Sequence, residues 1–198
     1  SPFLLGENMN DDTTNFFNTL SSTKGTNAKM DFVRQKLSDK TIVKLLEMTF
    51  NPYVSFNVVK VPKTKKTEIA HPASVWNEFI RVATICANRE KTGNAAIELM
   101  QSVFQRASKE QEKWMRKILK KHLAIGASTK TVNKVFPGLI PTFDVALAQK
   151  FEEKRIEGKK TVAVEPKLDG IRCFAIVEKG KSLLYARSGK IISNFDST

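Results

Sequence analysis

The chain has few of the residues that staple, ligate or hinge a fold: two cysteines, two histidines and nine glycines in 198 residues. Cys86 and Cys173 lie far apart in apolar contexts, with no metal-ligand spacing around either. That excludes a disulfide scaffold or a cysteine-rich zinc module, and both are expected as small buried hydrophobes in a reducing cytoplasm. No apolar run approaches the roughly 20 residues of a membrane-spanning helix, and no basic region followed by a long apolar core opens the chain. A membrane partner is therefore not expected. Acids are scarce as well: 20 Asp and Glu face 33 Lys and Arg, a net charge of +13. Such a balance suits a polyanionic partner. The 41% of hydrophobic residues exclude wholesale disorder and suffice for one domain and part of another.

The positive charge is concentrated. Residues 1–23 hold three acids and no base, whereas residues 24–134 hold 22 bases against 9 acids. A nucleic-acid surface is to be sought in that middle segment first, against the plainer reading of a solvated basic face.

Apolar spacing of three and four predicts amphipathic helices through Met30, Val33 and Leu37, through Ile42, Leu45 and Leu46, and through Trp76, Phe79, Ile80 and Ala83. Ser74 and Asn94 stand where N-caps belong. A helix from about Lys109 to Leu123 turns Trp114, Met115, Ile118 and Leu119 inward and Lys113, Lys117, Lys120 and Lys121 outward. Gly126 reads as a helix C-cap and Pro137-Gly138 as a turn. Beyond the charged connector Phe151–Lys160, β-rich runs cover Thr161–Glu165, Ile171–Val177 and Leu183–Arg187, with Lys179-Gly180-Lys181 turning a hairpin. The expected fold is mainly α with a β-rich C-terminal segment. Its divisions are a flexible arm at 1–14, a basic helical domain at 15–148, a connector at 149–160, and an incomplete β-rich domain at 161–198. Roughly 40 residues do not bury a core alone.

Within the last segment, Glu165-Pro166-Lys167-Leu168-Asp169-Gly170-Ile171-Arg172 resembles the nucleotidyltransferase signature Lys-x-Asp-Gly-x-Arg. Arg187-Ser188-Gly189, one hairpin later, is similar to the second motif of that superfamily. In the helical part, Lys91-Thr92-Gly93-Asn94-Ala95-Ala96 and the run from Ile125 to Pro141 resemble a ligase DNA-binding domain. From about Phe16 to Ser188 the chain resembles the ATP-dependent DNA ligases, specifically the tailed-phage type.

The resemblance implies a helical DNA-binding domain followed by the first antiparallel strands of an ATP-grasp-like nucleotidyltransferase domain. It implies ATP and Mg²⁺ as cofactors, nicked duplex DNA as partner, a monomer, and a location in the cytoplasm, the host's if the gene is a phage's. Lys167 would be the nucleophile, attacking the α-phosphate of ATP to form a lysine–AMP bond and release pyrophosphate. Only about one lysine in a few thousand is neutral at pH 7 when its pKa is near 10.4, so burial or neighbouring positive charge must favour the free amine. Glu165 would lie against the adenine, Arg172 near the ribose and Arg187 near the phosphate. Candidate DNA contacts are Lys91, Asn94, Lys113, Lys117, Lys120, Lys121, Ser128, Thr129, Lys130 and Lys134, with backbone amides at a helix start near Ser128 suited to a phosphate. None of these residues is assigned to a metal; the family's metal-binding acids and OB-fold domain would follow Thr198, so the chain is expected to be a fragment, inactive alone. NAD-dependent ligases characteristically lack an arginine at the position of Arg172. One alternative is a non-catalytic, sequence-independent duplex-binding module. A weaker one is an RNA guanylyltransferase or RNA ligase, which should not carry this helical domain in front.

Overall fold

Asp11 opens the first helix. Its carboxylate accepts the backbone N–H of Thr14 at 2.9 Å and the Thr14 hydroxyl at 2.6 Å, and it also takes the indole N–H of Trp76 at 3.1 Å. Helix α1, Asp12–Ser22, thus begins inside the stretch read as a flexible arm, and Thr13 and Thr14 are buried. A carboxylate that caps a helix and holds a tryptophan ties down the local chain. The computed structural model describes residues 11–142 apart from 59, 64 and 67–70, and residues 149–192 apart from 167, 168, 187 and 188. By their contacts the residues divide into two units, Ser1–Pro141 and Thr142–Thr198. The boundary expected near residue 148 lies outside the described residues.

In the first unit α1 is followed by α2, Thr26–Arg34; α3, Lys40–Phe50; α4, Pro72–Ala87; α5, Gly93–Arg106; α6, Lys109–Leu119; and α7, Thr129–Val135. Their inward stripes meet in one core around Phe16, Phe17, Leu46, Trp76, Phe79, Phe104, Trp114 and Met115, all at most 1% exposed. Phe17 stacks on Trp114 at 5.4 Å between ring centroids and lies 6.1 Å from Trp76, so α1 joins α4 and α6 through one aromatic cluster. Burying each such ring stabilises the fold by roughly 1.5–3 kcal/mol. The segment between α3 and α4 is held to the same core by Phe56, Val58 and Val61.

Several ends differ from the sequence expectation. Helix α4 starts at Pro72, whose fixed φ suits the first helical position, rather than after Ser74. Helix α5 starts at Gly93 after the N-cap Thr92, so Asn94 lies inside it. Helix α2 stops at Arg34, which leaves Leu37 52% exposed rather than on an inward stripe. Helix α6 opens with a capping box between Ser108 and Gln111 and stops at Leu119 rather than Leu123. Its end is a Schellman motif: Lys121 has φ of 54°, its N–H donates to the Ile118 carbonyl, and the His122 N–H donates to that of Lys117.

The second unit holds a short 3₁₀ turn, Glu153–Arg155, and an antiparallel hairpin of β1, Cys173–Glu178, and β2, Lys181–Ala186. The register runs from Cys173↔Ala186 to Glu178↔Lys181. Lys179 and Gly180 turn it with φ of 50° and 75°, the pair of left-handed residues that a two-residue hairpin turn needs. Tyr185 also bridges to Ile191. Residues 161–165 form no strand, because no described segment pairs with them. Residues 173–177 and 183–186 are apolar on both faces, the pattern of a sheet covered on both sides. Within the described residues that cover is slight: Val177 is 72% exposed and Ile176 50%. Cys86 is buried as expected, but Cys173 is exposed because the face it occupies is bare.

Candidate nucleic-acid interface and nucleotidyltransferase motif

The amphipathic α6 carries the densest of the expected DNA contacts. Trp114 fixes its roll by packing on Phe17 and donating its indole N–H to Asn18 at 2.9 Å. Lys113 and Lys117 flank that indole, their ammonium groups 5.8 and 4.0 Å from its centroid. Lys113 also pairs with Glu110 at 3.3 Å. Lys120, the C-cap residue, is exposed. Lys121 is placed otherwise than the helical pattern implied. The left-handed turn carries it to the α3–α4 segment, where its ammonium donates to the carbonyls of Asn51 and, at 2.7 Å, Val54.

A second group lies on and before α7. Ser128 is its N-cap, and the Ser128 hydroxyl accepts the Thr131 N–H at 3.3 Å. Thr129 is half-buried, and Lys130 and Lys134 are exposed. Asn133 clasps the Pro137-Gly138 turn, accepting the Ile140 N–H at 2.9 Å and donating to its carbonyl at 2.8 Å. Gly126, expected as a helix C-cap, instead occupies the connection between α6 and α7 with φ of 63°. Lys91 and Asn94 are exposed at the α4–α5 junction.

A polar network beside α6 has no counterpart among the residues expected from the sequence. Glu112 accepts from Arg116 at 2.8 Å and from Lys66, and Lys66 also donates to the Phe104 carbonyl at 2.7 Å. Arg116 reaches on to the carbonyls of Val61 at 2.6 Å and Pro62 at 3.3 Å, with its guanidinium 4.6 Å from the Phe104 ring. Burial favours the neutral acid at Glu112, yet the hydrogen bonds and charges of Lys66 and Arg116 outweigh it and hold the carboxyl below its ordinary range. The i,i+4 pair Glu112 and Arg116 and the lysine-rich stretch 60–66 were the available signals.

In the second unit Glu165 and Asp169 are exposed and lie outside any helix or strand, and Arg172 is exposed immediately before β1. Lys167 and Arg187 lie outside the described residues. Ile171, Cys173, Leu184, Ala186 and Ile192 line an apolar hollow of about 590 Å³ on one face of the hairpin. Among the described residues no group of three or more His, Cys, Asp and Glu is arranged to hold a metal ion, and no helix is long and apolar enough to cross a membrane.

Against known proteins, no family model matches the chain. The DNA ligases of Enterobacteria phages T4 and T6 are each 28% identical to it over 163 residues, 81% of this chain and 34% of theirs. The chain resembles phage DNA ligases. It spans about a third of the length of these curated relatives. The solved structure named Pmar-Lig_PreS3 matches 92% of the chain with a TM-score of 0.72 and 29% identity, the chain covering 44% of it. The one named Pmar-Lig_Pre. matches the same share with a TM-score of 0.70 and 28% identity, 43% of it being covered. The helical architecture followed by an antiparallel pair agrees with these ligase-like neighbours.

Proposed function

We propose that this chain is the DNA-binding and nucleophile-bearing part of an ATP-dependent DNA ligase that seals nicks in duplex DNA. The likeness to the phage ligases carries the reading, because at 81% of the chain it must take in residues of both units. The helical unit grips the duplex by its phosphates, and since nicks occur at any sequence, base identity contributes little. In the second unit Lys167 supplies the attacking amine. Its nitrogen bonds to the α-phosphorus of the substrate ATP as pyrophosphate leaves; the adenylyl group then passes to the 5′-phosphate of the nick, and the 3′-hydroxyl displaces AMP. Glu165 and Arg172, both exposed, hold the nucleotide, with the bare apolar hollow beside Ile171 and Cys173 able to take the flat face of a base. Positive charge from Arg172 and Arg187 favours the free amine of Lys167. The described residues offer no cluster for Mg²⁺, and no step is assigned to it.

The test has two arms. The chain itself should bind a nicked duplex with an affinity that falls steeply with salt and scarcely changes when the sequence is scrambled. Extended to the length of its relatives, it should become covalently labelled by α-labelled ATP, and Lys167→Ala should abolish the label while leaving DNA binding intact. Label retained in Lys167→Ala would overturn the assignment of the nucleophile. Labelling by GTP in place of ATP would favour the guanylyltransferase reading.

A further inference from the structure

Helix α6 and the segment that precedes α4 enclose a cleft of about 410 Å³ lined by Lys63, Lys66, Lys109, Glu112, Lys113 and Arg116. Five of the six are cations. The single carboxylate is spent inside the protein, because Glu112 is shared between Lys66 and Arg116. Those two cations are spent as well, on Glu112 and on the carbonyls of Val61, Pro62 and Phe104. The network therefore acts as a brace that ties the segment around Val61 and Lys66 to α5 and α6, and Val61 itself is buried. Of the other three cations Lys113 pairs with Glu110 at 3.3 Å, and Lys63 and Lys109 remain. Both are exposed, and no carboxylate among the described residues pairs with either. Lys109 does nothing for α6, since a cation in the first turn faces the positive end of the helix dipole. Lys65, near Lys63 in the chain, is exposed too.

A cation on the chain before α4 facing cations on a helix, with the two walls tied by a half-buried brace, forms an open groove for an extended polyanion.

We propose that this cleft is a further phosphate-binding groove for the backbone of duplex DNA, with Lys63 on one wall and Lys109 and Lys113 on the other. The proposal rests on the DNA-binding reading above and adds Lys63 and Lys109, which were not among the expected DNA contacts, to the interface at α6. Because the contacts are to phosphates, the groove adds affinity without sequence preference. The brace keeps the cations apart before DNA arrives, so little ordering remains to be done on binding.

The test is a titration of a fluorescently labelled nicked duplex with the full chain between about 50 and 300 mM KCl. Each phosphate neutralised contributes about 0.9 to the log–log salt slope, so the variant Lys63→Gln/Lys109→Gln should bind with a slope about 1.8 shallower than the unsubstituted chain. The variant Lys24→Gln/Lys40→Gln, which removes two exposed charges remote in sequence from the cleft, should leave the slope within experimental error. All four positions are exposed, and circular dichroism should show the same helix content in every protein. An unchanged slope for the cleft variant, with the unsubstituted chain binding normally, would overturn the groove and leave the DNA-binding reading standing. Equal loss in both variants would reduce the effect to net charge and also overturn it. Failure of the unsubstituted chain to bind duplex DNA at low salt would overturn the groove and the reading beneath it together.

Discussion

The ammonium of Lys29 occupies the space that Gly126 leaves by having no side chain. Lys29 is only 8% exposed, and its ammonium donates to the Ile125 carbonyl on the connection between α6 and α7. A Cβ added at Gly126 would stand 2.6 Å from that nitrogen, and the glycine's φ of 63° is itself one that side chains rarely adopt. The pair joins α2 to the residues that lead into Ser128 and Lys130.

Gly126→Ala is therefore expected to destabilise the helical unit by about 1–3 kcal/mol, through left-handed strain and displacement of the lysine. Lys29→Met should cost a similar amount by leaving a buried carbonyl unpaired. Because both substitutions act on one contact, the double variant should fall short of the sum by about 0.5 kcal/mol or more. Urea unfolding followed by tryptophan fluorescence measures all three. Strict additivity would show that the two residues act independently.

Glu112→Gln should lower stability at neutral pH by about 1–3 kcal/mol, since two charge-assisted hydrogen bonds weaken at once. The pH dependence has a definite sign. A carboxyl held below its ordinary value stabilises the fold above that value, near 4.5, and loses the contribution as pH falls through the lower folded-state value. The gap between Glu112→Gln and the unsubstituted chain should be constant from pH 6 to 8 and close below about 4.5. Glu78, lowered chiefly by the hydrogen bond from Arg81, titrates in the same window in both proteins and cancels. Thermal melts across pH supply the comparison.

What the sequence made legible was what repeats. Ile42, Leu45, Leu46, Trp76, Phe79 and Ala83 recur at helical spacing, and all six are buried. Lys179-Gly180 marked its hairpin because two successive left-handed residues are sterically demanding. Positions governed by one distant partner gave no such signal. Lys29 lies four residues ahead of Val33 and reads as an ordinary solvated lysine until Ile125 is beside it. Lys121 fits an outward helical stripe only if α6 continues past Leu119, and its left-handed conformation ends the helix before that. The apolar neighbours of Cys173 in sequence predict burial, whereas its exposure depends on what covers the sheet face. The Lys66, Glu112 and Arg116 network escaped for the same reason, since Lys66 comes from another element.

The two cysteines should separate cleanly in reactivity. Cys86 is fully buried on α4, and burial pushes its thiol pKa up, so it has neither access nor thiolate. Cys173 is exposed on the hairpin. With a limiting alkylating reagent at pH 7.5, Cys173 should be modified in the native protein and Cys86 only after denaturant is added, as peptide mass mapping would show. Equal native-state labelling would mean that α4 opens readily from the core.

Proteolysis should divide the chain by burial. Helices α1 to α6 share a single core, so cleavage inside them requires that core to open. From 149 to 166 the described residues are almost all exposed, with a single 3₁₀ turn and no strand ladder, and Val162 and Val164 are 53% and 89% exposed. The hairpin that follows has two strands, and an isolated pair is marginal in water however apolar its faces are. Dilute trypsin is expected to cut first at Lys150, Lys154, Arg155, Lys159 or Lys160 and to leave a resistant helical fragment that ends within this connector. That fragment should keep the cooperative unfolding transition of the intact chain, with a midpoint shifted by less than a few degrees. A midpoint lowered by ten degrees or more would show that residues 161–198 contribute to the stability of the helical unit.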